Sequence, residues 1–184
     1  MMKKQLLVIA VVAFATIGFS ANVSVVAQTP CAQGRVLSAQ ERIVQRDIQE
    51  RINESIEADI ARDSAAGAHN LTDDFKVKLL DGTVLNRRQM LESNKQQKDS
   101  LFLVSDRTRI TIYCLALKGR EATVYTNQHY VRYMPDRKDG SPHEVITNIT
   151  HRETWIFTSE GWKVKHIEEL QEGSTLLNGQ PFNP

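Results

Sequence analysis

The spacing of apolar residues changes from a helical period to a strand period about halfway along the chain. Ile48, Ile52, Ile56 and Ile60 recur every four residues among charged and amide side chains. This spacing predicts one long amphipathic helix that ends near residue 62. The segment Ser38–Glu41 has the capping-box pattern that starts such a helix. A helix with one apolar stripe has to pack on a larger apolar surface, and we expect a β-sheet to provide it.

Three shorter elements follow this helix. Polar and apolar residues alternate from Asp73 to Leu80, which predicts a strand, and Asp81-Gly82 then favours a tight turn into a short strand at 83–85. Asn86 is a good N-cap for a second helix, which we expect to end near residue 98.

The rest of the chain alternates with a period of two. It predicts four strands, at residues 108–117, 122–133, 145–157 and 162–170. The connections between them are short, and parallel neighbours would need a crossover of a dozen or more residues, so we expect antiparallel pairing. The predicted fold class is α+β, with the N-terminal helices packed on a strongly curved antiparallel sheet.

The N-terminus has the three parts of a secretory signal peptide. Lys3 and Lys4 precede an apolar run at residues 6–19, and small residues then lead to Ala27. The apolar run is shorter than a membrane-spanning helix requires, so we expect cleavage after Ala27 and a secreted or periplasmic protein. An uncleaved membrane anchor is the alternative.

After this signal peptide we expect a flexible arm at residues 28–37, one domain at 38–172 and a C-terminal tail at 173–184. The tail could cover a pocket, cross to a second subunit or stay loose, and the sequence does not distinguish these arrangements.

The charge balance is nearly even. The chain has 23 basic and 22 acidic side chains, and removal of Lys3 and Lys4 leaves 23 − 2 = 21 basic against 22 acidic, a net charge of −1. Charges of both signs are interspersed, whereas a nucleic-acid-binding domain shows a clustered basic face. We therefore expect no nucleic-acid partner and no membrane association of the mature chain.

The two cysteines, Cys31 and Cys114, have two interpretations. Alternation places Cys114 on the same strand face as Ile110 and Ile112, where it would be a small buried apolar residue. In an oxidising compartment it could instead form a disulfide that ties the N-terminal arm to the sheet.

The final hairpin is the most informative part of the sequence. A three-residue loop, Ser159-Glu160-Gly161, suits a turn that needs glycine in the left-handed conformation. Counting back from this loop places Ile156 opposite Val164, Thr154 opposite His166 and Arg152 opposite Glu168. A slip by one residue would exchange the faces of the strands and would pair Glu153 with His166 and His151 with Glu168.

In the favoured register, one face of the hairpin combines apolar and polar groups. Its predicted ligand-binding and catalytic residues are Arg152, Thr154, Trp162, His166 and Glu168. A mostly apolar cavity with a few convergent polar groups is typical of a small-molecule site. The opposite face carries Ile149, Trp155, Phe157 and Ile167, which suit contact with a second subunit.

Other candidates lie on separate strands. Tyr125, His129 and Tyr133 alternate on one strand face and could enter the same pocket, or could form an ordinary packing ladder. His129, His151 and His166 lack the spacing of a metal site, so we expect no metal and no cofactor.

The order of these elements resembles the SnoaL-like branch of the nuclear transport factor 2-like superfamily over residues 38–170. The most specific features are Arg152 with Thr154 and the segment Gly161-Trp162-Lys163-Val164-Lys165-His166. The resemblance implies a cone-shaped domain, a pocket between sheet and helices, and a homodimer formed through the outer sheet face.

Any catalysis at this site would be acid/base chemistry. His166 would be the general base, Glu168 could share that role, and Arg152 or Tyr133 would stabilise negative charge. Ketosteroid isomerase, whose fold the resemblance implies, uses an aspartate base, and Asp74 is the nearest acidic candidate here. The structural alternatives are a hydrogen bond between His166 and Glu168, an ion pair between Arg152 and Glu168, and a solvated turn at Asp74.

Three functions are consistent with the sequence. The first is an exported domain of unassigned activity that binds an unknown small molecule. The second is a cofactor-independent enzyme of the isomerase, cyclase or hydrolase type, and the third is a non-catalytic dimerisation or protein-interaction domain. Fold by itself does not decide among them.

Overall fold

A computed structural model of the chain describes residues 35–99, 103–135 and 140–181. The predicted signal peptide and Cys31 lie outside these residues. Within the part of the chain that is described, no helix is both long enough and apolar enough to cross a membrane.

The elements follow the predicted order, with three short additions, α2, β3 and β8. In chain order they are α1 (Ala39–Ile60), α2 (Ser64–His69), β1 (Leu71–Lys78), β2 (Val84–Asn86), α3 (Arg87–Asp99), β3 (Leu103–Val104), β4 (Arg109–Lys118), β5 (Glu121–Pro135), β6 (Pro142–Thr158), β7 (Gly161–Leu177) and β8 (Gln180–Pro181).

Both long helices begin at capping boxes. The Ser38 hydroxyl accepts a hydrogen bond from the Glu41 amide, and the Glu41 carboxylate accepts one from the Ser38 amide. At α3, Asn86 and Gln89 make the same reciprocal pair of bonds. These bonds satisfy amides that the first helical turn leaves without partners, so the helix starts could be predicted from local sequence.

The strands form one mostly antiparallel sheet in the order β2-β1-β7-β6-β5-β3, with β4 also on β5 and β8 on β7. One pair is parallel: β1 runs beside β7, with Lys76 opposite His166 and Lys78 opposite Glu168. These two strands are far apart in the chain, so no short loop constrains their direction. The predicted α+β class is confirmed.

The main core lies between α1 and the sheet. The predicted apolar stripe packs with its Ile48, Ile52 and Ile56 buried, in one cluster with Val124 of β5 and Trp155 of β6. This cluster identifies the face of β6 that points toward the helices, because side chains two residues apart on a strand share a face.

The pairing of β6 with β7 shifts register at three places, and the shift nearest the turn is a β-bulge between Thr154 and Trp155. Near the turn Phe157 pairs with Trp162 and Trp155 with Val164, whereas beyond the bulge Thr154 pairs with His166 and Arg152 with Glu168. The predicted Thr154–His166 and Arg152–Glu168 pairs are confirmed. The predicted pairing of Ile156 with Val164 is wrong, because Ile156 lies opposite Lys163.

The extra residue at this bulge is Lys165, and it changes the alternation along β7. Trp162 and Val164 point into the core, and Ile167 packs against the same core. His166 and Glu168, one residue out of phase, therefore lie on the outer face. The sequence-based grouping of Trp162 with His166 and Glu168 on one face is wrong for this reason.

Trp155 is the clearest correction among the residues expected at a subunit contact. Its side chain is 2% exposed and belongs to the core, so it does not offer an outer surface to a partner. Ile167 also packs against the core, whereas Phe157 remains 43% exposed at the sheet end, where its ring lies 5.3 Å from that of Trp162. Homodimerisation itself stays a prediction.

Cys114 follows a bulge in the pairing of β4 with β5. Ile112 pairs with Thr126 but Cys114 pairs with Tyr125, so Tyr113 is the extra residue and Cys114 is not on the Ile112 face as expected. Cys114 is buried and disulfide-bonded. Both properties expected from the sequence, burial and disulfide formation, therefore hold for Cys114.

The C-terminal residues extend the sheet. β7 continues to Leu177, past residue 172 where the domain was expected to end, and β8 pairs back on it. The Asn178 amide donates to the Glu144 carbonyl and adds a contact to β6.

Candidate functional site

Three polar side chains are buried on the face of the sheet that points toward the helices. They are Thr126 on β5, which is fully buried, and His151 and Glu153 on β6, which are 9% and 3% exposed. His151, Glu153 and Trp155 alternate along one strand, so all three share the face that Trp155 identifies as the interior. We call Thr126, Gln128, His151 and Glu153 the interior polar cluster.

Glu153 is held by two hydrogen bonds. The Thr126 hydroxyl donates to Glu153 Oε1 at 2.9 Å, and Trp155 Nε1 donates to Glu153 Oε2 at 2.8 Å. Thr126 is also the cross-strand partner of His151, so the carboxyl group of Glu153 lies beside His151. Burial raises the pKa of Glu153 above its ordinary value, because an ionised carboxylate loses its hydration there.

His151 makes one hydrogen bond through its ring. Gln128 Nε2 lies 2.7 Å from His151 Nδ1. His151 Nε2 is buried and has no hydrogen-bond partner in the described part of the chain. Burial lowers the pKa of His151 to about 4, so the imidazole is neutral at pH 7.

The polar surface continues along β5 toward the C-terminal end of α1. The Tyr130 hydroxyl donates to Asp59 Oδ2 at 3.2 Å, and burial raises the pKa of Tyr130. The guanidinium of Arg132 lies 5.5 Å from the Tyr130 ring centre and donates to the Thr147 hydroxyl. The interior therefore offers hydrogen-bond donors, acceptors and a carboxyl group that ionises less readily than usual.

The predicted site residues Arg152 and Glu168 are brought together, but on the outer face. They form an ion pair, and Lys78 of β1 adds a second bond to Glu168 at 3.1 Å. Burial raises the pKa of Glu168, but the Lys78 hydrogen bond and the Arg152 charge outweigh it and leave this pKa below its ordinary value. The structural alternative, a cross-strand ion pair, describes what these side chains do.

The other predicted residues are dispersed. Asp74 is exposed, and the Thr72 hydroxyl together with Lys165, 3.4 Å away, keeps its pKa low. The Tyr133 hydroxyl accepts a bond from Arg107 at 2.9 Å. Trp162 belongs to the core, whereas Thr154 and His166 face each other across the outer side of the hairpin.

His129 lines a surface cleft of about 220 Å³ rather than the interior. Its Nδ1 lies 2.8 Å from Asn148 Oδ1, and the same cleft is also lined by Arg109, Thr111, Asn127 and, from the interior polar cluster, Gln128. Over the described ranges, no group of three or more histidine, cysteine, aspartate or glutamate side chains is placed to hold a metal ion.

Sequence reasoning assigned the interior residues to the wrong face. The available signal was Trp155: a tryptophan is usually well buried, and His151 and Glu153 share its parity on the strand. The alternative register considered for the hairpin named these two residues, because it paired Glu153 with His166 and His151 with Glu168.

Comparison with known proteins gives matches at the level of structure. No protein-family model matches the sequence, and no curated protein matches it. A conserved protein from Planctomyces limnophilus superposes with a TM-score of 0.60 at 14% identity, covering 74% of this chain and 98% of the other.

Two further solved structures have informative descriptions. A scytalone dehydratase-like protein from Novosphingobium aromaticivorans has a TM-score of 0.60 at 13% identity, covering 76% of this chain and 91% of its own. An NTF2-like protein from Cytophaga hutchinsonii has a TM-score of 0.53 at 11% identity, covering 72% of this chain and 98% of its own. Identities this low establish a shared fold and nothing about activity.

Proposed function

The chain has the nuclear transport factor 2-like fold, and we propose that it is a small-molecule-binding domain whose ligand binds between sheet and helices at the interior polar cluster. One observation carries this proposal: the buried Nε2 of His151 has no hydrogen-bond partner in the described part of the chain. A buried polar atom without a partner costs about 1–3 kcal/mol, so most such atoms in native proteins are paired. A bound ligand would provide the missing partner.

The surroundings of the cluster suit this role. Trp155 and Ile167 flank Glu153 along and across the strands, and both belong to or pack against the apolar core. Small-molecule sites generally combine such apolar walls with a few oriented polar groups. Thr126 and Trp155 orient the carboxyl group of Glu153 on both of its oxygens.

Native mass spectrometry of the mature chain, purified from its own host compartment, tests the proposal. We expect a discrete additional mass that is retained by wild type and by Arg152→Ala and His166→Ala, whose side chains lie on the outer face. We expect His151→Phe and Glu153→Leu to lose it. Loss of the mass in Arg152→Ala but not in His151→Phe would place the ligand on the outer face and contradict the proposal.

A second candidate function is cofactor-independent acid/base catalysis at the same cluster. The raised pKa of buried Glu153 favours it, because a carboxyl group that keeps its proton to higher pH than usual is better suited to act as a general acid. The shared fold of a scytalone dehydratase-like protein also supports this candidate. If the retained compound is turned over, Glu153→Gln should abolish turnover while binding persists; turnover by this variant would exclude Glu153 as the acid or base.

Export and homodimerisation are proposals that the same preparation tests. An exported protein should begin at Gln28, after the predicted cleavage site, and should carry its disulfide at Cys114. The native spectrum also reports the number of subunits. A dimer without any added mass, unchanged by metabolites, would favour a protein-interaction domain instead.

A further inference from the structure

The contact between Gln128 and His151 selects one tautomer of the histidine. The atom of Gln128 that lies 2.7 Å from His151 Nδ1 is the amide nitrogen, which can only donate. Nδ1 must therefore accept, and a neutral imidazole with an accepting Nδ1 carries its proton on Nε2. The buried Nε2 of His151 is accordingly a hydrogen-bond donor.

The described part of the chain provides no acceptor for this Nε2–H group, so a bound ligand would have to provide one. The interior neighbour of His151, Glu153, already accepts from Thr126 and Trp155, one bond on each oxygen. On β5 the interior cation is Arg132, whose backbone lies six residues from Thr126, about 20 Å along an extended strand. Arg109, which lines the surface cleft together with Gln128, donates to the Asp106 and Thr108 carbonyls. A ligand carboxylate at His151 would therefore place a second carboxyl group beside the buried Glu153.

We infer that the ligand is a neutral compound whose carbonyl oxygen accepts the Nε2–H of His151, with Gln128 as the positioning residue that holds this tautomer. The inference rests on the proposed function and names its ligand class. A neutral carbonyl group adds no charge beside Glu153, and its oxygen accepts a hydrogen bond from the Nε2–H of His151. An apolar body suits the remainder of the site, since Trp155 and Ile167 lie beside the cluster.

The tautomer is measured first, without any ligand. Nitrogen-15 NMR at pH 7 distinguishes Nε2–H from Nδ1–H histidines, and the spectrum of His151→Phe identifies the His151 signals among those of the five histidines. We expect the Nε2–H form in wild type and a mixture of tautomers in Gln128→Leu. An Nδ1–H form in wild type would overturn the inference. An unchanged tautomer in Gln128→Leu would overturn the role of Gln128.

The ligand class is tested with three probes of similar size: 4′-fluoroacetophenone, 4-fluoroethylbenzene, which lacks the acceptor, and 4-fluorobenzoate, which is an anion. Fluorine NMR should show the ketone binding wild type about tenfold more tightly than either other probe. Only the ketone should shift the His151 Nε2 signal. In His151→Phe the preference for the ketone over the ethylbenzene should disappear.

The failures of the two proposals can be distinguished. Equal binding of ketone and ethylbenzene to wild type, or tighter binding of the benzoate, would overturn the inferred ligand class while leaving an interior site intact. If no probe binds and no additional mass is retained by the mature chain, the interior binding site itself is overturned.

Discussion

His151 and Glu153 are buried side by side, and burial shifts both toward their neutral forms. It lowers the pKa of His151 to about 4 and raises that of Glu153. The two groups therefore affect stability in opposite directions as the pH changes. The depressed histidine pKa costs stability as the pH falls, whereas the raised glutamate pKa costs stability as the pH rises above the unfolded value of 4.5.

The histidine contribution predicts a loss of stability on acidification. Between pH 7 and pH 5 the unfolded chain gains a proton at His151, with an unfolded pKa of 6.5, while the folded chain does not until about pH 4. The free energy of unfolding should fall by about 2 kcal/mol more in wild type than in His151→Phe over this range. Urea unfolding at both pH values measures the difference.

Thr154→Ala is the matched control, because it alters the same strand without removing a titrating group. It should keep the wild-type dependence on pH. If His151→Phe also keeps that dependence, His151 is not buried as a neutral group in the native protein.

The two bonds to Glu153 predict unequal effects of two substitutions. In Glu153→Gln the amide oxygen can accept from Trp155 while the amide nitrogen donates to the Thr126 hydroxyl, so both partners remain satisfied. Glu153→Leu leaves both partners unpaired and should lower the free energy of unfolding by about 2 kcal/mol or more. Denaturant titration at pH 8 should show Glu153→Gln at least as stable as wild type, and equal losses in the two variants would contradict the bonding scheme.

At the scale of elements, bulges decide which side chains reach the interior. Lys165 in β7 and Tyr113 in β4 each add one residue to a strand, and each moves the following residues to the other face. Counting residues by twos therefore placed the side chains of His166, Glu168 and Cys114 on the wrong face of the sheet. The pattern of polar and apolar residues locates strands, but it does not show where one strand has an extra residue.

Asn70 connects three elements and predicts a second stability effect. It is buried, its side-chain Nδ2 donates to the Arg51 carbonyl at 2.9 Å and to the Ser55 hydroxyl at 3.1 Å, and its backbone carbonyl accepts from the Val164 amide. Asn70→Ala removes both side-chain bonds to α1, although the Arg51 carbonyl still accepts from the Ser55 hydroxyl at 3.0 Å, and it should lower the free energy of unfolding by about 2 kcal/mol.

Ser55→Ala serves as the comparison for Asn70→Ala. It removes the longer of the two Asn70 bonds and the bond that the Ser55 hydroxyl donates within α1, while Asn70 keeps its bond to the Arg51 carbonyl. Its effect should be below about 1 kcal/mol, and the double variant should be less destabilised than the sum of the two. Urea titration of all four chains completes the cycle. Additive losses would show that the Asn70–Ser55 bond makes no contribution.

At the scale of the whole molecule, the parallel pairing of β1 with β7 joins the start of the sheet to its last long strand.

The disulfide of Cys114 adds a covalent constraint at β4. A disulfide stabilises mainly by restricting the unfolded chain, so reduction should lower the free energy of unfolding by about 2–4 kcal/mol. Urea titration with and without dithiothreitol measures this loss. Cys114→Ala, which cannot form the bond, should not respond to the reductant, and equal responses of both proteins would contradict a stabilising disulfide.

The local sequence determined the elements. The Ile48, Ile52 and Ile56 stripe, the capping box at Ser38 and the period of two in the second half depend on residues close together in the chain, and all are present in the structure. The same local information predicted the α+β class, because short loops permit few arrangements of such strands.

Only the tertiary structure decided the site. The hydrogen bonds of Gln128 with His151 and of Thr126 with Glu153 join strands whose contacting residues are 23 and 27 positions apart. Which polar groups of a strand become buried depends on register, bulges and the helices that cover the sheet, and these are set by pairing between distant segments. The sequence therefore determined that a hairpin with polar and aromatic residues would form. The fold determined that His151 and Glu153, rather than His166 and Glu168, lie on the sheet face that the helices cover.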